Sequence, residues 1–89
     1  MKAEIYTKDN CNYCVKAKAL FEKHGIDYVE VSAVEQREAL IERVEAATGL
    51  TPKQVPQIFI DGTHIGGHDQ LIIWLDSESV RDELRQNQG

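Results

Sequence analysis

Two cysteines three positions apart, Cys11 and Cys14, are the only ones in this 89-residue chain, and they bracket Asn12-Tyr13. Thiols at this spacing have two common uses, reversible oxidation and metal binding. The pair closes too short a loop to brace a small secreted domain, where several disulfides offset a small core. Cys11 falls at or just before the first turn of a helix that follows a strand. Unpaired backbone N–H groups and the helix dipole favour negative charge there, and a cysteine so placed ionises more readily than a free thiol. Only the thiolate attacks a disulfide, so Cys11 reads as the nucleophile. Cys14 lies one helical turn further along the same side. It reads as the resolving thiol, which attacks the mixed disulfide on Cys11 and releases the reduced product.

Two other uses fit the sequence less well. Buried core cysteines would act as small hydrophobes, but Cys11 precedes the apolar stripe of its helix and sits between Asn10 and Asn12. Structural zinc commonly takes a cysteine pair plus two histidines, and His64 and His68 have a suitable spacing. They straddle Gly66-Gly67, however, and would have to converge on a helix start from another strand. No metal is expected.

The elements that must position the cysteines follow from periodicity. Glu4-Ile5-Tyr6-Thr7 reads as a strand and Lys8-Asp9-Asn10 as a turn. Cys14, Ala17, Leu20 and Phe21 recur at helical intervals from Asn12 to His24, and Gly25 ends that helix. A second strand follows at Asp27-Tyr28-Val29-Glu30-Val31. Ser32-Ala33-Val34-Glu35 has the form of a capping box, opening a helix with the stripe Leu40, Ile41, Val44 and Ala47, closed by Thr48-Gly49. After a loop, Gln57-Ile58-Phe59-Ile60 reads as a central strand, and Asp61-Gly62 as a hairpin turn into His64-Ile65. Helices are predicted from His68, carrying Leu71, Ile72, Trp74 and Leu75, and from Glu78 to Arg85. A frayed tail is expected at Gln86-Asn87-Gln88-Gly89. A βαβ unit needs parallel strands and a hairpin needs antiparallel ones. The fold class is therefore α/β, a four-stranded mixed sheet with helices on both faces, in one domain over residues 1–89.

Composition excludes several functions. The net charge is −5, distributed as +2 over residues 1–24 and −7 over residues 25–89. The weakly basic part surrounds the cysteines, and nothing offers the extended basic surface that nucleic acid requires. Lys16, Lys18 and Lys23 read as a solvated helix face. No apolar run approaches the roughly 20 residues of a membrane span, and Met1-Lys2-Ala3-Glu4-Ile5-Tyr6 has neither the apolar stretch nor the small-residue cleavage site expected of a signal peptide. A cytoplasmic monomer is expected.

Four segments together resemble the dithiol glutaredoxins: Glu4-Ile5-Tyr6-Thr7-Lys8, Cys11-x-Tyr13-Cys14, Val55-Pro56-Gln57-Ile58-Phe59-Ile60, and His64-Ile65-Gly66-Gly67-x-Asp69. The resemblance implies a thioredoxin fold (βαβ-α-ββ-α). It also implies reduction of disulfides or glutathione mixed disulfides, with glutathione as co-substrate. By similarity Cys11 attacks and Cys14 resolves, while Lys8 and Tyr13 line a glutathione groove. Val55, before a cis Pro56, would pair its backbone with the cysteinyl part of glutathione. Gly67, His68 and Asp69 would receive the γ-glutamyl end. These positions also make physical sense: Gly66-Gly67 permits close backbone approach, and Asp69 offers a carboxylate to an ammonium group. Protein substrates such as ribonucleotide reductase are implied. So are two alternatives: a glutathione-ligated iron–sulfur cluster between two protomers, and an electron donor fed by thioredoxin reductase.

Four positions depart from the family pattern. Gln54 replaces a threonine. His68 and Gln70 replace a cysteine and a second acid, with the role at His68 assigned to its backbone amide. Asn12 replaces a proline, which adds a backbone N–H at the helix start as an extra donor for the sulfur. Asn12→Pro is accordingly expected to shift the redox potential measured by glutathione equilibration while activity persists. Equal potentials in the two proteins would remove Asn12 as a determinant.

Overall fold

The computed structural model describes residues 1–88. Strands β1 (Lys2–Thr7), β2 (Asp27–Ser32), β3 (Gln57–Ile60) and β4 (Thr63–Gly66) form one sheet. Helices α1 (Asn12–Lys23), α2 (Arg37–Thr48), α3 (His68–Leu75) and α4 (Glu78–Gln88) complete the chain. The sheet order is β2-β1-β3-β4, with β1 parallel to β2 and antiparallel to β3, and β3 antiparallel to β4. This is the mixed sheet the periodicities predict.

Strand alternation sends each sheet face to its own core. Ala3, Ile5, Ile58 and Ile60 join Ala17 and Phe21 of α1, Leu71 and Leu75 of α3, and Val80 and Leu84 of α4. On the other face Tyr6 and Phe59 meet Leu40 and Val44 of α2. All four residues of β3 are buried, as a strand with neighbours on both sides requires. Ala47, expected in the α2 stripe, is exposed. The buried stripe of α2 is accordingly Leu40 and Val44.

The ends of the elements follow local chemistry. After α1, Gly25 takes φ +67°. Its N–H bonds to Glu22 O at 3.3 Å, and the Ile26 N–H to Phe21 O at 2.9 Å. That pattern satisfies the last carbonyls of the helix. Asp61 and Gly62 both have positive φ, at 50° and 82°, as a two-residue turn matched to strand twist demands. The capping box forms only in part. Ser32 Oγ accepts from Glu35 N at 3.1 Å, but 33–36 is a turn and α2 begins at Arg37. The Ala33 N–H donates to Thr7 O at 2.8 Å, so the sheet holds Ala33 and delays the helix. Helix α4 runs to Gln88, and Gly89 lies outside the described residues.

One polar clamp joins α2 to the sheet. The Arg43 guanidinium bonds to both carboxylate oxygens of Glu4, at 2.8 and 3.2 Å, and to Tyr6 Oη at 3.0 Å. It also stacks 3.9 Å from the Phe59 ring centroid. The Arg43 bond holds the Glu4 carboxyl below its usual 4.5. A depressed carboxyl contributes stability above its unfolded value and loses it as pH falls through the folded one. Arg43→Met should therefore cost about 1–2 kcal/mol at neutral pH, the sum of a cation–π contact and a half-exposed ion pair. Urea unfolding should show that difference shrinking on acidification below pH 4.5.

Candidate functional site

The turn after β1 decides where α1 begins. Asn10 takes φ +57°, a left-handed conformation that asparagine tolerates, and Cys11 then turns extended as the N-cap of α1. From there the Cys11 sulfur accepts the backbone N–H of Cys14 at 3.2 Å, as a capping side chain does. Among the described residues it is Cys14, and not Asn12, whose N–H reaches the sulfur. No acidic residue occupies the first turn of α1, so no carboxylate there opposes a thiolate.

Cys11 and Cys14 form a disulfide with Cα atoms 5.2 Å apart. The two sulfurs differ in access: Cys11 is half-buried, whereas Cys14 is 2% exposed. The loop before β3 comes alongside, with Val55 O 3.8 Å from the Cys11 sulfur. In the oxidised pair that sulfur carries no proton, so this is a contact rather than a hydrogen bond. The Val55-Pro56 peptide is cis.

A trough runs past Val55. One end, about 270 Å³, is lined by Tyr13, Gln54, Val55, Pro56, Gly67, His68, Asp69 and Gln70. The other, about 550 Å³, shares Gln54 and Val55 and adds Lys8, Arg37 and Lys53. Six of the nine residues singled out from the sequence thus line one end. Lys8 lines the other, and the disulfide lies beside Val55. A Cβ at Gly67 would lie 3.3 Å from Gln70 Oε1 and 3.4 Å from Pro56 O. Tyr13 is 55% exposed, with its ring centroid 5.3 Å from that of His68 and the Lys16 ammonium 5.1 Å from its ring. The His68 side chain is largely covered and bonds to the exposed Asp69 carboxylate at 3.1 Å.

The trough includes residues the sequence reading did not assign to it. Arg37 and Lys53 make its second end basic, and only the path of the loops brings them beside Lys8. Gln70 Oε1 accepts the Gly67 N–H at 2.9 Å, so it caps α3 from within the site. Among the described residues no cluster of three or more His, Cys, Asp or Glu side chains is placed to hold a metal ion. His64 faces Gln57 instead, at 2.9 Å.

A second groove, about 830 Å³, opens on the other side of the cysteines and is lined by Lys8, Cys11, Cys14, Lys18 and Glu30 among others. Lys18 is not simply a solvated helix residue. Its ammonium lies 3.0 Å from Glu30 Oε2, which also accepts the Thr7 hydroxyl at 2.6 Å. Parallel pairing of β1 with β2 creates this cluster; α1 and β2 are too far apart in sequence for spacing to reveal it. The Thr7 hydroxyl, and after it the Lys18 bond, hold the Glu30 carboxyl below 4.5. In a carbon-detected NMR titration, Thr7→Val and Lys18→Met should each raise that value toward 4.5.

Comparison with known proteins is consistent with this geometry. Residues 3–65 match the family model described as Glutaredoxin. The chain is 43% identical over 84 residues to glutaredoxin 3 of Escherichia coli K12, covering 91% of this chain and 93% of that protein. The solution structure of reduced E. coli glutaredoxin is similar with a TM-score of 0.70 at 31% identity, covering 89% of this chain and 98% of that one. A buckwheat glutaredoxin–glutathione complex gives a TM-score of 0.73 at 27% identity, covering 94% and 76%.

Proposed function

Since the chain belongs to the glutaredoxin family and is a thiol-disulfide oxidoreductase, we propose that it draws its electrons from glutathione, which binds in the trough past Val55. The observation that carries this reading is the charge layout of the trough. Lys8, Arg37 and Lys53 stand at one end and Asp69 at the other, with the accessible sulfur of Cys11 beside the middle. Glutathione has a carboxylate at its glycine end and an ammonium with a second carboxylate at its γ-glutamyl end. The basic end suits the first. Asp69 suits the ammonium, and the start of α3 suits the second carboxylate. A buckwheat relative of similar fold has been solved as a glutathione complex, which supports glutathione as the ligand.

The chemistry follows from access to the two sulfurs. The Cys11 thiolate, stabilised by the Cys14 N–H and the helix start, attacks a substrate disulfide. A Cys11–substrate disulfide forms, and the other substrate sulfur leaves as a thiolate that takes a proton from water. The Cys14 thiolate then attacks Cys11 Sγ, forming the Cys11–Cys14 disulfide and expelling the second substrate thiolate. One glutathione thiolate reopens that disulfide at Cys11, the more accessible sulfur, and returns Cys14 to the thiol. A second attacks the bound glutathione sulfur, releasing glutathione disulfide and the Cys11 thiolate. With a glutathionylated substrate the protein thiol leaves first, and Cys14 is not needed. Proposed substrates are glutathione mixed disulfides and protein disulfides, that of ribonucleotide reductase among them.

Cys11→Ser should abolish turnover. Cys14→Ser should keep deglutathionylation while losing reduction of protein disulfides, and activity in the Cys11 variant would refute these roles. Coupled assays with glutathione plus glutathione reductase should support turnover. Turnover only with thioredoxin reductase would overturn the glutathione reading.

A further inference from the structure

Gln57 is the first residue of β3, and its side chain is buried, with 8% of the residue exposed. A buried amide that fails to find partners is costly, and Gln57 finds two. Its Nε2 donates to Gln54 O at 2.9 Å, and its Oε1 faces His64 Nε2 at 2.9 Å. These partners fix the orientation of the amide. Gln54 O can only accept, so the NH2 group must face it, and Oε1 must then face the histidine. His64 must in turn carry a proton on Nε2, because an amide oxygen only accepts. Burial holds the His64 pKa below 6.5, which favours the neutral ring, and the Gln57 bond places its one proton on Nε2. The ring is packed against Phe59, with centroids 5.1 Å apart.

This chain of bonds ends on the loop that forms the wall of the trough. Residues 51–56 belong to neither a helix nor a strand. Among the described residues, and apart from the sulfur contact at Val55, the bond from Gln57 is the one hydrogen bond made to the backbone of this segment. The anchored carbonyl belongs to the residue just before Val55, whose own carbonyl lies against the Cys11 sulfur.

We propose that Gln57, oriented by His64, is a positioning residue for glutathione: its amide holds the Gln54–Val55 backbone in the place where the tripeptide pairs with it. The proposal rests on the glutathione reading above. It assigns to Gln57 no contact with substrate; the side chain acts from behind the wall through the Gln54 carbonyl. Losing that bond leaves the chemistry at the sulfurs in place and makes glutathione order the loop itself, so KM changes and kcat does not.

Steady-state kinetics with varied glutathione test this in three variants. Gln57→Met keeps the volume and removes both bonds. Gln57→Glu keeps an acceptor for His64 but turns an oxygen toward the Gln54 carbonyl. Both should raise the glutathione KM about five-fold, the worth of one net hydrogen bond, with kcat within two-fold of wild type. His64→Phe, on β4, should raise KM by less and add nothing when combined with Gln57→Met. If Gln57→Met does not fold, Gln57→Glu and His64→Phe carry the comparison. A lowered melting temperature with unchanged KM would show a purely structural amide and overturn the proposal. So would independent, additive effects of the two sites. Failure of the underlying reading looks different, because wild type itself would then show no saturable dependence on glutathione.

Discussion

The backbone N–H of Cys14 points at the Cys11 sulfur from 3.2 Å, and this contact depends on α1 starting at Asn12 and no later. Three features hold that start in place. The left-handed Asn10 reverses the chain after β1. Cys14, Ala17 and Phe21 are buried along the inner side of α1, the last two among Ala3 and Ile5 of β1. The carbonyls at the far end are closed by Gly25 and Ile26. Slipping the helix by one residue would rotate the buried side by about 100°, exposing Phe21 and removing the donor from the sulfur. Core packing and thiolate stabilisation are thus two results of one register.

Antiparallel pairing of β3 supplies the other half of the site. Tyr6 lies opposite Gln57, so the residues before Gln57 overhang the turn that carries Lys8 and Cys11. The pairing therefore brings the Val55 carbonyl to 3.8 Å from the sulfur. A carbonyl oxygen and an N–H act on a thiolate in opposite senses. The donor is nearer, at 3.2 Å, so the attraction dominates. β4 adds His64 behind the same loop and leads through Gly66 into α3, whose first residues face Val55 and Pro56 across the trough.

Charge is arranged by the same topology. The overall acidity of the chain does not describe the site, where basic residues from the β1–α1 turn, the start of α2 and the loop before β3 gather at one end of the trough. Arg43, by contrast, is spent on holding α2 to the sheet through Glu4, Tyr6 and Phe59. Lys18 is engaged by Glu30. A count of lysines and arginines cannot separate these uses, because each depends on which strand lies next to which.

Much was legible in the order of residues. Short-range chemistry sets strand alternation, the helical stripe of α1, the Gly25 and Gly49 helix ends and the Asp61-Gly62 turn, so the sequence predicts them directly. The Cys11-x-x-Cys14 pair at a helix start, and its likeness to the glutaredoxins, pointed to the family and to the trough residues Lys8, Tyr13, Val55, Pro56, Gly67, His68 and Asp69. The delayed start of α2 was not legible, since a local cap competes there with a sheet bond from Ala33 to Thr7. Nor were the Thr7–Glu30–Lys18 cluster, the cap from Gln70 to Gly67, or the Gln54–Gln57–His64 relay. By itself, then, the sequence determined the reactive pair and the elements that carry it, because these follow from neighbours within a few residues. Only the tertiary structure decided which cations join Lys8 in the trough, how close its wall comes to the sulfur and what braces that wall. Those are set by strand pairing between residues far apart in the chain.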